Sequence, residues 1–376
     1  MRLPPSAEHR PRHQNTDAER PRTKIPKRQG KPIVTEENTA LAAFNARVAE
    51  DHLVGNWIVE PHLASLGDGP KPACAPYLWN WKTVRDHLLQ TFTVLPDAEG
   101  ARRVLTFLNP ALPRGTTHTL SSGIQLIGPG EVAPAHNHSM NALRFVIEGS
   151  SKLETVVNGI PCPMENYDLI LTPSYSLHDH YNGSDGNVSW LDVLDVTLYG
   201  RLNQMFFSPH DEPRQAHRNV TLGEGPAWLR PRWGEPQDWS QYRFPWAETY
   251  PLLKRLASQG PGSPTNGVML EYTNPVTGGS LFPTMSCTLQ WLHPGQTTRR
   301  YRRTTSSIYF AIQGQGTLTV DGKSLSWGQH DTFALPNWVW HTFANTSKSE
   351  PTILFGVHDE PAIRALSMYR DQIAEA

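Results

Sequence analysis

His136 and His138 stand two residues apart just ahead of an apolar run, and on an extended chain residues i and i+2 point to the same side. Two imidazoles aimed at one point are the start of a metal site, and a third ligand has to return from elsewhere. The segment opened by Pro173 offers His178 and, two residues on and therefore on the same face, His180. Three neutral imidazoles that leave positions open suit Fe(II), Zn or Cu, whereas Mg and Ca prefer oxygen ligands. Arg144 lies six positions past His138, an even count that sends its guanidinium to the same side of a regular strand, where it would pair with a carboxylate or phenolate. Of the neighbours Arg102 and Arg103 one should face the same interior, because adjacent strand residues point oppositely.

The elements that must position these groups are strands. From about Arg103 the chain is a succession of short β-branched and aromatic runs separated by Gly, Pro and Asn, the texture of an all-β barrel or sandwich. It is also written twice. GIQLIGPGEVAPAHNHSMNALRFVIEG (Gly123 to Gly149) matches TLQWLHPGQTTRRYRRTTSSIYFAIQG (Thr288 to Gly314), and LTPSYSLHDHYN, ending at Asn182, matches ALPNWVWHTFAN, ending at Asn345, an offset of roughly 163 residues. Each copy carries a hairpin signal, Asn158-Gly159 and Asp321-Gly322. In the second copy Tyr301 and Arg303 replace the first two histidines, so that only His341 remains, and one imidazole does not hold a metal. The expected organisation is a basic, Pro-rich tail at 1–34, a helical region at 35–99, a first β unit at 100–207, a connector at 208–262, a second β unit at 263–360 and a C-terminal helix at 361–376. Helices are expected to start at Thr35, with Leu41, Phe44 and Val48 on one face, and to cover Lys82 to Leu89 and Trp246 to Ala257.

The spacing G-x5-H-x-H-x3-(E)-x6-G, met by Gly130, His136, His138 and Gly149, and P-x4-H-x3-N, met by Pro173, His178 and Asn182, resembles the two cupin motifs. The position that most metal-binding cupins fill with Glu is Ala142, which leaves the all-histidine triad of the gentisate 1,2-dioxygenases and their relatives acting on salicylate and 1-hydroxy-2-naphthoate. The likeness extends through PYLWNWKTVRDHL, RRVLTFLNPAL, SWLDVLD and YTNPVTGGSLFPT. It implies a bicupin of two double-stranded β-helix barrels with flanking N- and C-terminal helices. It also implies one Fe(II) per chain in the first cupin on His136, His138 and His178, and a substrate that is a small aromatic hydroxy acid cleaved with O2. For gentisate the product is maleylpyruvate; salicylate and 1-hydroxy-2-naphthoate are alternatives, and a non-catalytic bicupin that binds or stores a ligand is a third. Motif spacing selects His178 over His180 as the ligand and leaves His180 to move a proton. Gln125 resembles a substrate-contacting glutamine, with a buried structural amide as the alternative; Arg144 with Arg102 or Arg103 would complete the substrate contacts. Asp192 or Asp195 would orient a histidine through its second ring nitrogen. Ser121 sits where relatives often carry an aromatic, which widens the pocket. By analogy the chain forms a homotetramer.

Composition narrows the partners. Lys and Arg number 34 against 35 Asp and Glu, a formal net charge of −1, so no overall field steers the protein toward nucleic acid or an anionic membrane. Three scattered cysteines, Cys74, Cys162 and Cys287, form neither a disulfide framework nor a C-x-x-C pair, and no apolar run has membrane-spanning length. A reducing, cytoplasmic setting is the expectation.

Overall fold

Alternation of inward and outward side chains along short strands closes the chain into two sandwiched barrels, shown in a computed structural model that describes residues 39–59, 67, 69–95, 103–218, 241–275 and 277–375. The chain divides into two compact units, residues 1–65 and 66–376. In the first, a helix covers Thr39–Glu50, and Trp57 Nε1 donates to Asn45 Oδ1 at 3.2 Å. The expected start at Thr35 and the tail lie outside the described residues, as do Arg102 and 219–240 of the connector.

The second unit holds both barrels. The first pairs a six-stranded sheet, in the order Arg243–Phe244, Leu169–Thr172, Ala142–Glu148, Val188–Leu194, Ser121–Ile127 and Val104–Thr106, with a five-stranded sheet, in the order Phe207–Pro209, Val132–His138, His178–Asn182, Ser150–Val157 and Ile160–Met164. The second repeats this plan with Tyr77–Trp79, Thr332–Leu335, Ser307–Gln313, Thr352–His358, Ser286–Leu292 and Val268–Tyr272 in one sheet. Lys323–Trp327, Gly316–Val320, His341–Asn345, Tyr301–Arg303 and Asp371–Ile373 form the other. Asn158-Gly159 and Asp321-Gly322 turn their hairpins with positive φ at both residues, the geometry that matches strand twist.

Two exchanges tie the barrels together. Tyr77–Trp79 precedes the first barrel but pairs with Thr332–Leu335 of the second, and Arg243–Phe244 precedes the second but pairs with Leu169–Thr172 of the first. The helices that follow start alike: the Trp81 N–H donates to Asp331 at 2.7 Å and the Trp246 N–H to Asp168 at 2.8 Å. These helices run over Trp81–Val94, longer than the Lys82 to Leu89 that the sequence signals, and over Trp246–Ala257 as expected. The outer faces of the two six-stranded sheets share one apolar core, in which Phe145 stacks on Phe355 with ring centroids 4.1 Å apart. Each barrel has its own smaller interior core, around Val146, Ile170 and Trp190 in the first and Phe333, Phe343 and Leu354 in the second.

The C-terminal stretch departs from expectation. It is helical only over Glu360–Ala365, and Asp371–Ile373 then pairs with Tyr301–Arg303, whose open edge offers backbone partners that a helix would leave unused. Among the described residues no helix is long and apolar enough to cross a membrane.

Candidate metal centre

Pro134 interrupts Val132–His138, since it has no N–H to give the ladder, and the register with His178–Asn182 shifts between Ala133 and His136. Beyond this irregularity His136 stands directly opposite His178. The ring centroids are 4.3 Å apart for His136 and His178, 4.9 Å for His138 and His178, and 5.6 Å for His136 and His138. One ring nitrogen from each lies within 4.8 Å of the others. In every ring Nδ1 faces a backbone carbonyl, that of Pro134 at 2.8 Å for His136, Met140 at 2.9 Å for His138 and Ser176 at 2.9 Å for His178. A carbonyl can only accept, so each Nδ1 carries the proton and each Nε2 presents a lone pair.

These lone pairs suit a cation. His178 Nε2 is buried without a hydrogen-bond partner, an arrangement that costs stability unless something electron-poor meets it. Burial lowers all three imidazole pKa values, that of His138 to about 4, and the nearby Arg144 charge lowers them further. All are therefore neutral at pH 7, the form that binds a metal.

The opposite sheet supplies the other polar groups. Register places Gln125 opposite Trp190 and Arg144 opposite Asp192, so that all four share the interior face. Arg144 is buried, donates from Nη1 to Thr172 Oγ1 at 2.8 Å and has Nε 3.3 Å from Asp192 Oδ1. Burial raises the Asp192 carboxyl to about 6 against the opposing pull of Arg144. His180, opposite Thr155, sets Nδ1 2.6 Å from the threonine hydroxyl and its ring 5.1 Å from that of Trp190; burial again holds it neutral.

A cupin domain model matches this chain twice, over residues 123–194 and 288–358. The 1-hydroxy-2-naphthoate 1,2-dioxygenase of Nocardioides sp. (strain KP7) is 40% identical over 91% of this chain and 90% of its own. The gentisate 1,2-dioxygenase 1 of Aquipseudomonas alcaligenes is 31% identical over 91% and 98%. The chain belongs to the gentisate 1,2-dioxygenase family. It is an aromatic ring-cleaving 1,2-dioxygenase built as a bicupin. The salicylate 1,2-dioxygenase of Pseudoaminobacter salicylatoxidans, solved as an adduct with gentisate, superposes with a TM-score of 0.81 at 28% identity over 92% of this chain and 97% of the other.

Within this dioxygenase not every expected residue reaches the cluster. Arg103 is buried, but Nη1 binds both carboxylate oxygens of Glu131, at 2.5 and 2.6 Å, and the guanidinium lies 4.5 Å over Phe92. Glu131 stands just ahead of Val132–His138, at the end away from His138 and beside Asn182, so Arg103 braces the far end of the barrel instead of the histidines. Neither aspartate orients a histidine, because the three Nδ1 positions are taken by carbonyls; Asp192 meets Arg144, and Asp195 binds Asn141 and Thr284. Ser121 begins its strand half-buried opposite Leu194. Two aromatic side chains join the expected residues around the cluster. Trp190 has the parity of Asp192, and period-two counting would have found it. Phe207, its ring 5.2 Å from His136, arrives on a strand that no sequence pattern announces.

The dioxygenase's second barrel keeps the frame and not the ligands. Tyr301 stands opposite His341, with ring centroids 4.4 Å apart, but its hydroxyl donates to Asn266 Oδ1 at 2.8 Å. Arg303, buried, donates to Ser307 Oγ at 2.9 Å and Tyr309 OH at 3.2 Å and lies 2.9 Å from His358 Nδ1. A fixed guanidinium inside the barrel opposes the entry of a cation.

Proposed function

We propose that this dioxygenase holds one Fe(II) on Nε2 of His136, His138 and His178. It opens the ring of an aromatic acid with a hydroxyl beside the carboxylate, cleaving between the two carbons that bear them. The observation that carries this is the convergence of three proton-free Nε2 atoms inside a barrel whose opposite wall presents Arg144. Zinc would fit the donors but is redox-inert, whereas reaction with O2 calls for a metal that can exchange single electrons. When bound, ferrous iron supplies O2 activation and a common anchor for both reactants.

The chain's own groups do the rest. Arg144, already braced by Asp192 and Thr172, offers its charge to the substrate carboxylate without having to be ordered first. Gln125, on the same face, contacts the substrate as an amide. Thr155 Oγ1 donates to Met164 Sδ at 3.0 Å, which makes it the acceptor for His180 Nδ1–H and leaves His180 Nε2 as a neutral base for the ring hydroxyl's proton.

Gentisate is the substrate that the motif resemblance suggests. The fused-ring acid 1-hydroxy-2-naphthoate is favoured by the 40% identity to the naphthoate enzyme against 31% to the gentisate enzyme, and by a small residue, Ser121, at the start of an interior strand. Metal-free protein loaded anaerobically with Fe(II) and offered gentisate, salicylate and 1-hydroxy-2-naphthoate separates these readings by O2 uptake and the ultraviolet absorbance of the ring-opened acid. Equal turnover by zinc-loaded or metal-free protein would refute the iron assignment, and no ring opening of any ortho-hydroxy acid would refute the reaction.

A further inference from the structure

Two threonines occupy matched places in the repeat, Thr119 two residues before Ser121–Ile127 and Thr284 two residues before Ser286–Leu292. Each reaches into the opposite barrel. Thr119 Oγ1 donates to Asp359 Oδ2 at 2.6 Å, and Thr284 Oγ1 donates to Asp195 Oδ2. Each aspartate, fully buried, turns its other oxygen to a backbone N–H just before a central strand, that of Ser306 at 2.8 Å for Asp359 and that of Asn141 at 3.0 Å for Asp195. The barrels are thus joined by the same bond made twice, as an isologous contact requires.

Beyond the aspartates the symmetry stops. Asn141 also donates through its amide to Asp195 Oδ2 at 2.8 Å and lies 3.2 Å from Thr284 Oγ1, while its amide oxygen accepts the Ser174 N–H at 3.0 Å. Ser139–Asn141 is the short connection that leaves the metal-cluster strand, and the carbonyl at its middle, Met140, is the one that takes His138 Nδ1–H. The matched path in the other barrel ends on Ser306, in the connection between Tyr301–Arg303 and Ser307–Gln313, where Arg303 stands at the place of His138.

We propose that Thr284, supplied by the barrel without a metal cluster, is a positioning residue for the metal ligand His138. Through Asp195 and Asn141 it fixes the connection whose Met140 carbonyl sets the tautomer and tilt of the imidazole. This rests on the reading of His136, His138 and His178 as ligands, and it gives the second barrel a part in the metal site. A group that orients a ligating histidine through its second ring nitrogen fixes its tautomer and tilt and so tunes metal affinity.

Thr119 is the internal control, because Thr119→Val removes the equivalent bond on the side that ends on no ligand. The metal-free full chain is titrated anaerobically with Co(II), and its visible absorption gives Kd and the ligand-field spectrum. In Thr284→Val we expect Kd to rise by about 10- to 100-fold, with shifted bands, and in Thr284→Ser to return toward wild type. Thr119→Val should lower Tm comparably and leave Kd and spectrum unchanged. Asn141→Ser, which installs the residue found at the matched place, keeps the backbone bond to Asp195 and tests the same path should Thr284→Val fail to fold. Wild-type Kd in Thr284→Val, or in Asn141→Ser, overturns the proposal, as does equal weakening in Thr119→Val. Failure of the wild-type chain itself to bind Co(II) overturns instead the ligand assignment beneath it.

Discussion

The two barrels set His136 against His178 and Tyr301 against His341 with almost the same geometry, centroids 4.3 and 4.4 Å apart and planes inclined 58° and 57°. Each keeps its histidine Nδ1 on a carbonyl two residues earlier, Ser176 or Val339, at 2.9 Å, and each leaves that histidine's Nε2 buried and unpartnered. The frame therefore presents a lone pair in both. The difference includes Tyr301 for His136, Arg303 for His138, Phe343 for His180, and Tyr309 opposite Gly356 where the first barrel has Arg144 opposite Asp192. The positive charge has moved from the wall of the cavity to the place of a ligand. A ring pair repeated with almost the same geometry does not carry the chemistry; the charge enclosed beside it does.

The comparison breaks most sharply on the lone pairs themselves. His178→Ala should lose both bound metal and ring cleavage to background, and His341→Ala should lose neither, as read by metal analysis and O2 uptake on the same preparations. Metal loss in both variants would mean that the barrels share one site or fold as one. Next in size is the charge. Arg144→Ala removes a charge-assisted bond to the carboxylate worth about 1.5–3 kcal/mol, so kcat/KM should fall roughly 10- to 150-fold, mostly through KM. Tyr309→Phe at the matched place should leave KM unaltered, and an unchanged KM in Arg144→Ala would take that guanidinium out of the substrate's reach. A smaller, constructive effect is expected from Tyr301→His combined with Arg303→His. The pair rebuilds three imidazoles around His341 Nε2 and should raise the Co(II) stoichiometry from one to two per chain, the added site being weaker by at least about 10-fold because no Asn141 equivalent steadies it. A stoichiometry still at one would show that more than the ligands and the charge separates the halves.

Much of this difference was legible in the sequence, because it follows from parity and repetition. Counting by two put His136, His138, Arg144 and the His178–His180 pair on one interior, and the structure brings all of them together. Aligning the copies exposed Tyr301 and Arg303. The same counting left open which of Arg102 and Arg103 faces inward: Arg103 is buried on the outer face against Phe92 and held by Glu131, a residue 28 positions away. Nor could it place Asp195, whose partner Thr284 lies 89 positions away and in the other copy. The tail failed for a related reason. Asp371–Ile373 has a strand's environment only because Tyr301–Arg303 leaves an edge beside it, and local propensity carries no record of that edge.

The smallest expected effect tests whether His341 is truly a dry imidazole. Burial, aided by the charge of Arg303 and opposed by the Val339 carbonyl, lowers its pKa to about 3, against about 6.5 in an unfolded chain. Between those values the unfolded chain binds a proton that the folded one refuses. His341 thus leaves stability intact above about pH 6.5 and erodes it as pH falls toward 3, by at most about 1.4 kcal/mol per pH unit. His341→Phe keeps a ring against Tyr301 and deletes both this proton and the orphaned Nε2, so the variant should be at least as stable at pH 7.5 and lose less Tm on going to pH 5. Metal-free protein is needed for both scans, because a bound metal would add the first barrel's own proton competition. His358, buried beside Arg303 and likewise held well below the usual imidazole range, contributes its share to both proteins and cancels in the difference. Parallel acid limbs would mean that His341 is solvated in the folded state, and the likeness of its surroundings to those of His178 would then be geometric only.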